Sequence, residues 1–374
     1  AILFSLNQTF AQKTLTLEES KQLAIQNNAK SKNSKLETKA SQQIRKSAFT
    51  NYFPSISAGG IMFEAEKNMM EIETHGGDLP VYDGDPANLG SATQFAYLPG
   101  GTMGLLKKGT IGYINAIQPV FAGGRILNGN KLATLGVEVS EFKEKLTKDE
   151  IILKTEEQYW QIVSLAEKQK TVQEYEELLN RLLLQINDAY NSGIVMKNDV
   201  LKVKLKLSEI LLNKSKLDNG RKLATMAFCQ QIGIPYDSTL VLKEELNIPD
   251  LPQSYFVDKN EALINRVEYY LLEKSVEAEK LQTNMKLGEY LPSAGIGVSG
   301  MYMKFDESKD RTLGMVFGTI SVPISGWWGG SHELQERSIK EEITENNFKD
   351  NTELLVLQIE KAWQDLSDAY KQYL

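Results

Sequence analysis

Four stretches of the chain, 47–63, 109–124, 290–303 and 312–332, contain no Asp, Glu, Lys or Arg, although charged residues make up 24% of the whole. Within them apolar residues alternate with small or polar ones. The clearest case places Ala294, Ile296 and Val298 on one side and Ser293, Gly295, Gly297 and Ser299 on the other. Ile111 to Ile117 and Val316 to Val322 follow the same period of two less strictly. About ten residues with apolar side chains out and small or polar ones in is the pattern of a transmembrane β-strand. The pattern predicts strands near 53–65, 109–121, 291–304 and 312–324, with Ile56, Ala294, Ile296 and Val298 facing lipid. The run 312–332 is long enough for a membrane helix. Pro323 and five glycines within it argue against one. A pair of hairpins in a soluble sheet is the alternative reading.

The strands come as two copies of one unit. Tyr52-Phe53-Pro54-Ser55 opens the first and Tyr290-Leu291-Pro292-Ser293 the second. Gln118-Pro119-Val120-Phe121-Ala122-Gly123-Gly124 closes the first, and Val322-Pro323-Ile324 through Gly329-Gly330 the second. Tyr52, Phe53, Phe121, Tyr290, Trp327 and Trp328 fall where strand meets helix, and Phe63, Tyr302 and Phe305 at the opposite ends. Two aromatic belts match the two interfaces of a membrane barrel. The loop inside the first unit, 67–107, is long; its counterpart in the second is a turn around Asp306 to Asp310.

Around these units the apolar spacing is helical and thin. Residues 16–50 read as one helix opened by Thr16-Leu17-Glu18-Glu19. No proline falls between Pro119 and Pro235, and 125–191 reads as a helix of roughly 100 Å. Val172, Tyr175, Leu179, Leu182, Ile186 and Ala189 recur at alternating steps of three and four, a coiled-coil seam. Ile152, Tyr159, Ile162 and Ala166 keep the spacing in a shifted phase, and Val203, Leu207, Ile210, Leu217, Ala224 and Phe228 give the return. The long hairpin therefore covers 125–232, with its tip at Gly193-Ile194-Val195-Met196-Lys197-Asn198-Asp199-Val200. Gly193 permits the reversal and Asp199 can cap the returning helix. Residues 236–257, with Pro249 and Pro252, read as a linker; a helix then runs from Asn260 to 289 and another from 330 to 374. The domain reading is 1–12 as a signal-peptide remnant, 13–235 as repeat 1, and 258–374 as repeat 2. The second repeat is expected to lack its returning helix, because only 331–374 follow Gly329-Gly330.

Composition removes several classes. Net charge is −7, which disfavours nucleic acid. The single Cys229 gives no disulfide, and His75 and His332 are too few for a histidine metal site; His75 reads as part of a solvated loop. Gly295-Ile296-Gly297-Val298-Ser299-Gly300 matches a dinucleotide fingerprint, but it lies within a strand and opens no helix. No catalytic, cofactor-binding or metal-binding set is expected, so the chain does not read as an enzyme.

These paired motifs, with Tyr190 to Val200 at the tip and Gln231-Ile232-Gly233-Ile234-Pro235 closing the first repeat, resemble the TolC-like outer-membrane efflux protein family over nearly all of 15–374. The resemblance implies a mainly α fold with transmembrane β, in two structural repeats, each helix–strand–loop–strand–long helices. It implies a homotrimer whose twelve-stranded β-barrel sits in the outer membrane of a Gram-negative bacterium and continues into a periplasmic α-helical coiled-coil tunnel. It also implies a periplasmic adaptor, contacted at the tip 193–200, and through it an inner-membrane pump. A gate at the second tip would lie outside this sequence. Independently, four strands cannot close a barrel, and open edges are not tolerated in lipid, so several copies are required. The function implied is a passive exit duct for small molecules in a tripartite efflux pump. The alternatives are an exit duct for type I protein secretion and a non-transporting coiled-coil envelope protein.

Overall fold

The computed structural model describes residues 14–81, 84–91, 94–243, 249–305 and 309–373, apart from the side chains of 88, 89 and 103–105. The expected signal-peptide remnant, 1–12, lies outside the described residues, as do 306–308 of the second turn. In chain order the first repeat holds β1 (Thr14–Leu15), α1 (Leu17–Asn27), α2 (Ala29–Phe49), β2 (Ser55–Glu64), β3 (Met70–Thr74), β4 (Gly77–Pro80), β5 (Phe95–Leu98), β6 (Gly101–Leu105), β7 (Lys108–Ala122), α3 (Arg125–Asn191) and α4 (Lys197–Ile232). The rest holds β8 (Val241–Leu242), α5 (Lys259–Ile264), α6 (Val267–Glu289), β9 (Ser293–Phe305), β10 (Arg311–Ser321) and α7 (Trp327–Tyr373). The described residues divide into two compact units, one drawn from 1–45, 131–280 and 339–374, the other from 46–130 and 281–338.

The first unit is helical. Thr16 and Glu19 form a reciprocal cap on α1: the Thr16 hydroxyl accepts from the Glu19 amide, and the Glu19 carboxylate accepts from the Thr16 amide. The single helix expected over 16–50 is instead two. Asn28 leaves helical geometry at ψ 133°, and its Oδ1 accepts from the Lys30 amide at 2.8 Å. Its Nδ2 donates to the Gln231 carbonyl at 2.7 Å, tying this break to the end of α4. That exchange of one helical turn for a buried cross-link is not visible in periodicity. The core gathers Ile151, Tyr159, Ile162 and Val163 of α3, Phe228, Cys229 and Ile232 of α4, and Ala24 of α1. Fully burying each large apolar side chain contributes roughly 1.5–3 kcal/mol.

The stretch expected as a linker does more than connect. β8 pairs in parallel with β1, Leu15 against Leu242, and Leu240 and Leu242 enter the core. The Tyr159 hydroxyl donates to the Lys243 carbonyl at 2.6 Å. The helix expected from Asn260 to 289 is also interrupted: α5 is capped by Asp258, and α6 begins only at Val267. The long hairpin itself is as expected. Lys214 pairs with Glu176, and Arg221 donates to Gln169, so α3 and α4 run antiparallel.

The second unit is built on one antiparallel sheet in the order β10-β9-β7-β2. All four expected membrane strands are strands, with ends shifted by one to three residues. The last stops at Ser321 rather than 324, before Pro323, which has no N–H to donate to a ladder. The two repeats meet through β7 and β9, with one extra residue, Val120, bulged out where Pro119 interrupts the β7 ladder. The long loop 67–107 is more ordered than expected. β3 pairs with β6 and β4 with β5, so the β2–β7 hairpin is prolonged by two further ladders. Met70-Glu71-Ile72-Glu73 carries the alternation that marks the first of them.

Candidate functional site

Ladder register assigns every strand residue to a face, because residues directly opposite in an antiparallel pair point the same way. Ile56 pairs with Ala116, which pairs with Val298, which pairs with Val316. Ile296 lies between Gln118 and Gly318, and Ala294 between Phe121 and Ile320. The structure therefore brings all four residues expected to face lipid, Ile56, Ala294, Ile296 and Val298, onto one face. Val316 and Ile320, which sequence alone did not single out for lipid, complete it at 77% and 80% exposure. Near the helical end this face carries one polar side chain, Gln118, which donates from Nε2 to the Tyr52 carbonyl at 2.9 Å and is satisfied.

The other face carries Ser57, Asn115, Ser299 and Thr319 near the helical end. Ser299 donates to Asn115 across the ladder. Glycines on this face make room for rings: a Cβ on Gly59 would strike the Tyr113 ring, and one on Gly297 would strike Phe317. Near the helical end the first face is apolar and the second is mixed, with Ser57, Asn115, Ser299 and Thr319 beside Ile117, Met315 and Phe317; an apolar outward face is what a barrel wall needs in lipid. Among the described residues no helix is long and apolar enough to cross a membrane.

The six aromatics placed at the strand–helix boundary all lie in this unit. Tyr52 and Phe53 cluster edge-on with Phe49, a partner not picked out from sequence. Phe121, Trp327 and Trp328 are exposed. Tyr290 is the exception, half-buried and donating from its hydroxyl to Glu333 at 2.6 Å. Its carbonyl accepts from the Trp327 indole at 2.9 Å. Lys286 binds both Glu289 and Glu333. These contacts hold the Lys286 ammonium protonated above its ordinary range and the Glu333 carboxyl below its own, in the latter case through Lys286 first and Tyr290 second. Gly123 adopts a left-handed φ of 61°, and a Cβ there would overlap the backbone of Gly288. The junction is therefore a close backbone crossing between the two repeats, which only glycine permits on both sides.

In the helical unit the tip is built as expected, with two differences. Ile194 donates its amide to the Ala189 carbonyl and Gly193 to Tyr190, with Gly193 at φ 74°, a Schellman end for α3. The residue at the N-cap of α4 is Met196, not Asp199. Asp199 sits three residues in and accepts from the Met196 amide at 3.4 Å. Val200 is 6% exposed and holds the turn from inside, so it does not belong to the accessible surface. Ile194 and Met196 are 77% and 76% exposed, and Gly193, Lys197 and Asn198 are exposed beside them. Val195 is half-buried.

Among the described residues no group of three or more His, Cys, Asp or Glu could hold a metal ion. His75 has its place beside the β3–β6 and β4–β5 ladders and is exposed. The glycines of 295–300 lie within β9, where no helix N-terminus could meet a pyrophosphate.

No protein-family model matches the sequence, and no curated protein matches it. Solved structures do. The chain is similar to the CmeC outer membrane channel of Campylobacter jejuni, with TM-score 0.69 and 12% identity, over 90% of this chain and 67% of that one. It is similar to the outer membrane protein VceC of Vibrio cholerae, with TM-score 0.64 and 14% identity, over 90% and 75%. It is similar to the open state of the MtrE outer membrane channel of Neisseria gonorrhoeae, with TM-score 0.58 and 13% identity, over 95% and 72%. The chain has the fold of outer-membrane channels.

Proposed function

We propose that this chain is a TolC-like outer-membrane factor: a non-enzymatic, passive exit duct for small molecules, resident in the outer membrane of a Gram-negative bacterium and reaching into the periplasm. The observation that carries the reading is the single apolar face shared by all four strands of a sheet whose two edges, β2 and β10, are both open. An exposed apolar face of this extent needs a partner, and lipid is the partner that an alternating strand pattern fits. In lipid the open edges must then be closed by further copies.

Because neighbouring strands alternate in direction, β2 and β10 run antiparallel to each other. Copies joined head to tail, β10 to β2, therefore extend the sheet without breaking its pairing. Two copies would give eight strands, whose interior side chains fill; three give twelve, which leave room for a pore. The homotrimer is the smallest assembly that conducts. The coiled-coil hairpin is then the periplasmic arm, and its tip from Gly193 to Asp199 the contact for an adaptor that leads to an inner-membrane pump.

Purified protein added to a planar bilayer is expected to give stepwise ion conductance, and crosslinking to yield three copies. Folded protein that never conducts would sink the duct and leave an envelope spacer. Photo-crosslinkers at Met196 and Lys197 are expected to capture an adaptor hairpin. Capture from mid-hairpin positions such as Lys214 instead would place docking elsewhere. A polypeptide caught in transit through the pore would favour the secretion duct over small-molecule efflux.

A further inference from the structure

The second face of the sheet becomes apolar toward the far end. Near the helical end it is mixed, with Ser55, Ile117, Gly297 and Phe317 in one row and Ser57, Asn115, Ser299 and Met315 in the next. In the next two rows toward the far end the same face carries Tyr113, Met301 and Leu313, then Ile61, Ile111 and Met303. The opposite face changes in the reverse sense: Lys304 pairs with Thr110, and Glu64 with Lys108. Ala294 and Tyr302 are eight residues apart on the apolar face, about 21 Å of height at a tilt near 40°, close to the roughly 25 Å apolar band of a barrel. The charged end of that face therefore lies at the outer headgroup level. The inner face at that level is an apolar collar, where a water-filled pore would call for polar side chains.

One charged residue shares the collar's face. Arg311 pairs in register with Met303, and no ion pair is formed by its guanidinium among the described residues. Ile61 and Leu313 are more than half exposed, so the collar is not closed over by its own chain. An apolar, partly aromatic wall with one guanidinium that forms no ion pair among the described residues complements a molecule with an aromatic body and one negative group.

Resting on the duct reading above, we propose that this collar is a cargo-contact surface and that the preferred cargo is an aromatic amphiphilic organic anion. The ring system lies on Tyr113, Met301 and Leu313, and the acid group meets Arg311. Strongly hydrated cargo and extended polypeptides gain nothing from such a wall.

The test uses the full chain in planar bilayers, with naphthalene-2-sulfonate and methanesulfonate as probes of equal charge. The naphthalene probe is expected to interrupt the current with dwell times about tenfold longer than methanesulfonate, as a few ring contacts would give. Leu313→Ser and Arg311→Gln are each expected to shorten those dwells severalfold, read relative to each variant's own open current. Equal dwell times for the two anions on the unmodified channel would overturn the proposal without needing any variant. Unshortened dwells in conducting variants would overturn it as well. No conductance from the unmodified protein is a separate result, which removes the duct reading instead.

Discussion

Arginine placed along the apolar face should cost stability in proportion to depth. Ala294, Ile296 and Val298 lie on one strand and one face, two residues apart. At about 3.4 Å per residue and a tilt near 40°, Ile296 stands about 5 Å above Ala294, and Val298 about 10 Å above it. If the hydrocarbon begins at Ala294, the midplane of a band roughly 25 Å tall falls about 2 Å beyond Val298. Val298→Arg should then cost about 2–4 kcal/mol and Ala294→Arg about 0–1 kcal/mol, with Ile296→Arg between. Ser57 supplies the control. It lies on the opposite face, exposed, so Ser57→Arg should stay within about 0.5 kcal/mol. The assay is urea unfolding of protein folded into lipid vesicles, followed by tryptophan fluorescence, comparing midpoints at unchanged slope. A flat series, or Ser57→Arg as damaging as Val298→Arg, would refute both the face assignment and the depth argument.

Three further outcomes follow from named contacts. Gly288→Ala should lower the thermal midpoint by the equivalent of about 1–3 kcal/mol, because its new Cβ meets the Gly123 backbone and that backbone cannot yield as a side chain would; an unchanged midpoint would show that the two repeats do not cross there. Tyr159→Phe should cost about 0.5–1.5 kcal/mol in denaturant unfolding, since the part-buried hydrogen bond from its hydroxyl to the Lys243 carbonyl is lost; a loss below the error of the titration would mean another group replaces it. Glu333 has a lowered carboxyl pKa, so its contribution is present near neutral pH and lost as pH falls through that lowered value. Glu333→Gln should therefore melt earlier than the unmodified protein near neutral pH and together with it in acid, and a difference that persists in acid would place the effect elsewhere.

The strands were legible because burial on one face and exposure on the other leave a period of two in the residues themselves, as at Ala294, Ile296 and Val298. The seam of the long hairpin was legible for the corresponding helical reason. What escaped was decided by contacts between residues far apart in sequence. The break at Asn28 depends on a carbonyl at Gln231, and the pairing of Leu15 with Leu242 turns part of an apparent linker into core. Short ladders in 67–107 escaped because glycines and prolines around them signal loop, although Glu71 and Glu73 already alternate with Met70 and Ile72. At the tip Gly193, Ile194, Met196, Lys197 and Asn198 are exposed, and the sequence could not separate the buried Val200 from them. A valine next to a turn carries no local sign of which way it points.

The register of the sheet also constrains how copies can assemble. The longest ladder is neither hairpin but the seam between repeats, β7 against β9, running from Gly109 opposite Phe305 to Ala122 opposite Ser293. A single chain therefore presents its four strands as one indivisible sheet, and each copy adds four or none. The edges left over, β2 and β10, come from different repeats, and so an interface formed by them is heterologous: one surface of a copy meets a different surface of the next. Such an interface closes into a ring or grows without end. Strand tilt and stagger fix the curvature per strand, and hence the number at which the ring closes. In the proposed twelve-stranded barrel, the row of Ser57, Asn115, Ser299 and Met315 would then face water while Ile56, Ile296 and Val298 would face lipid.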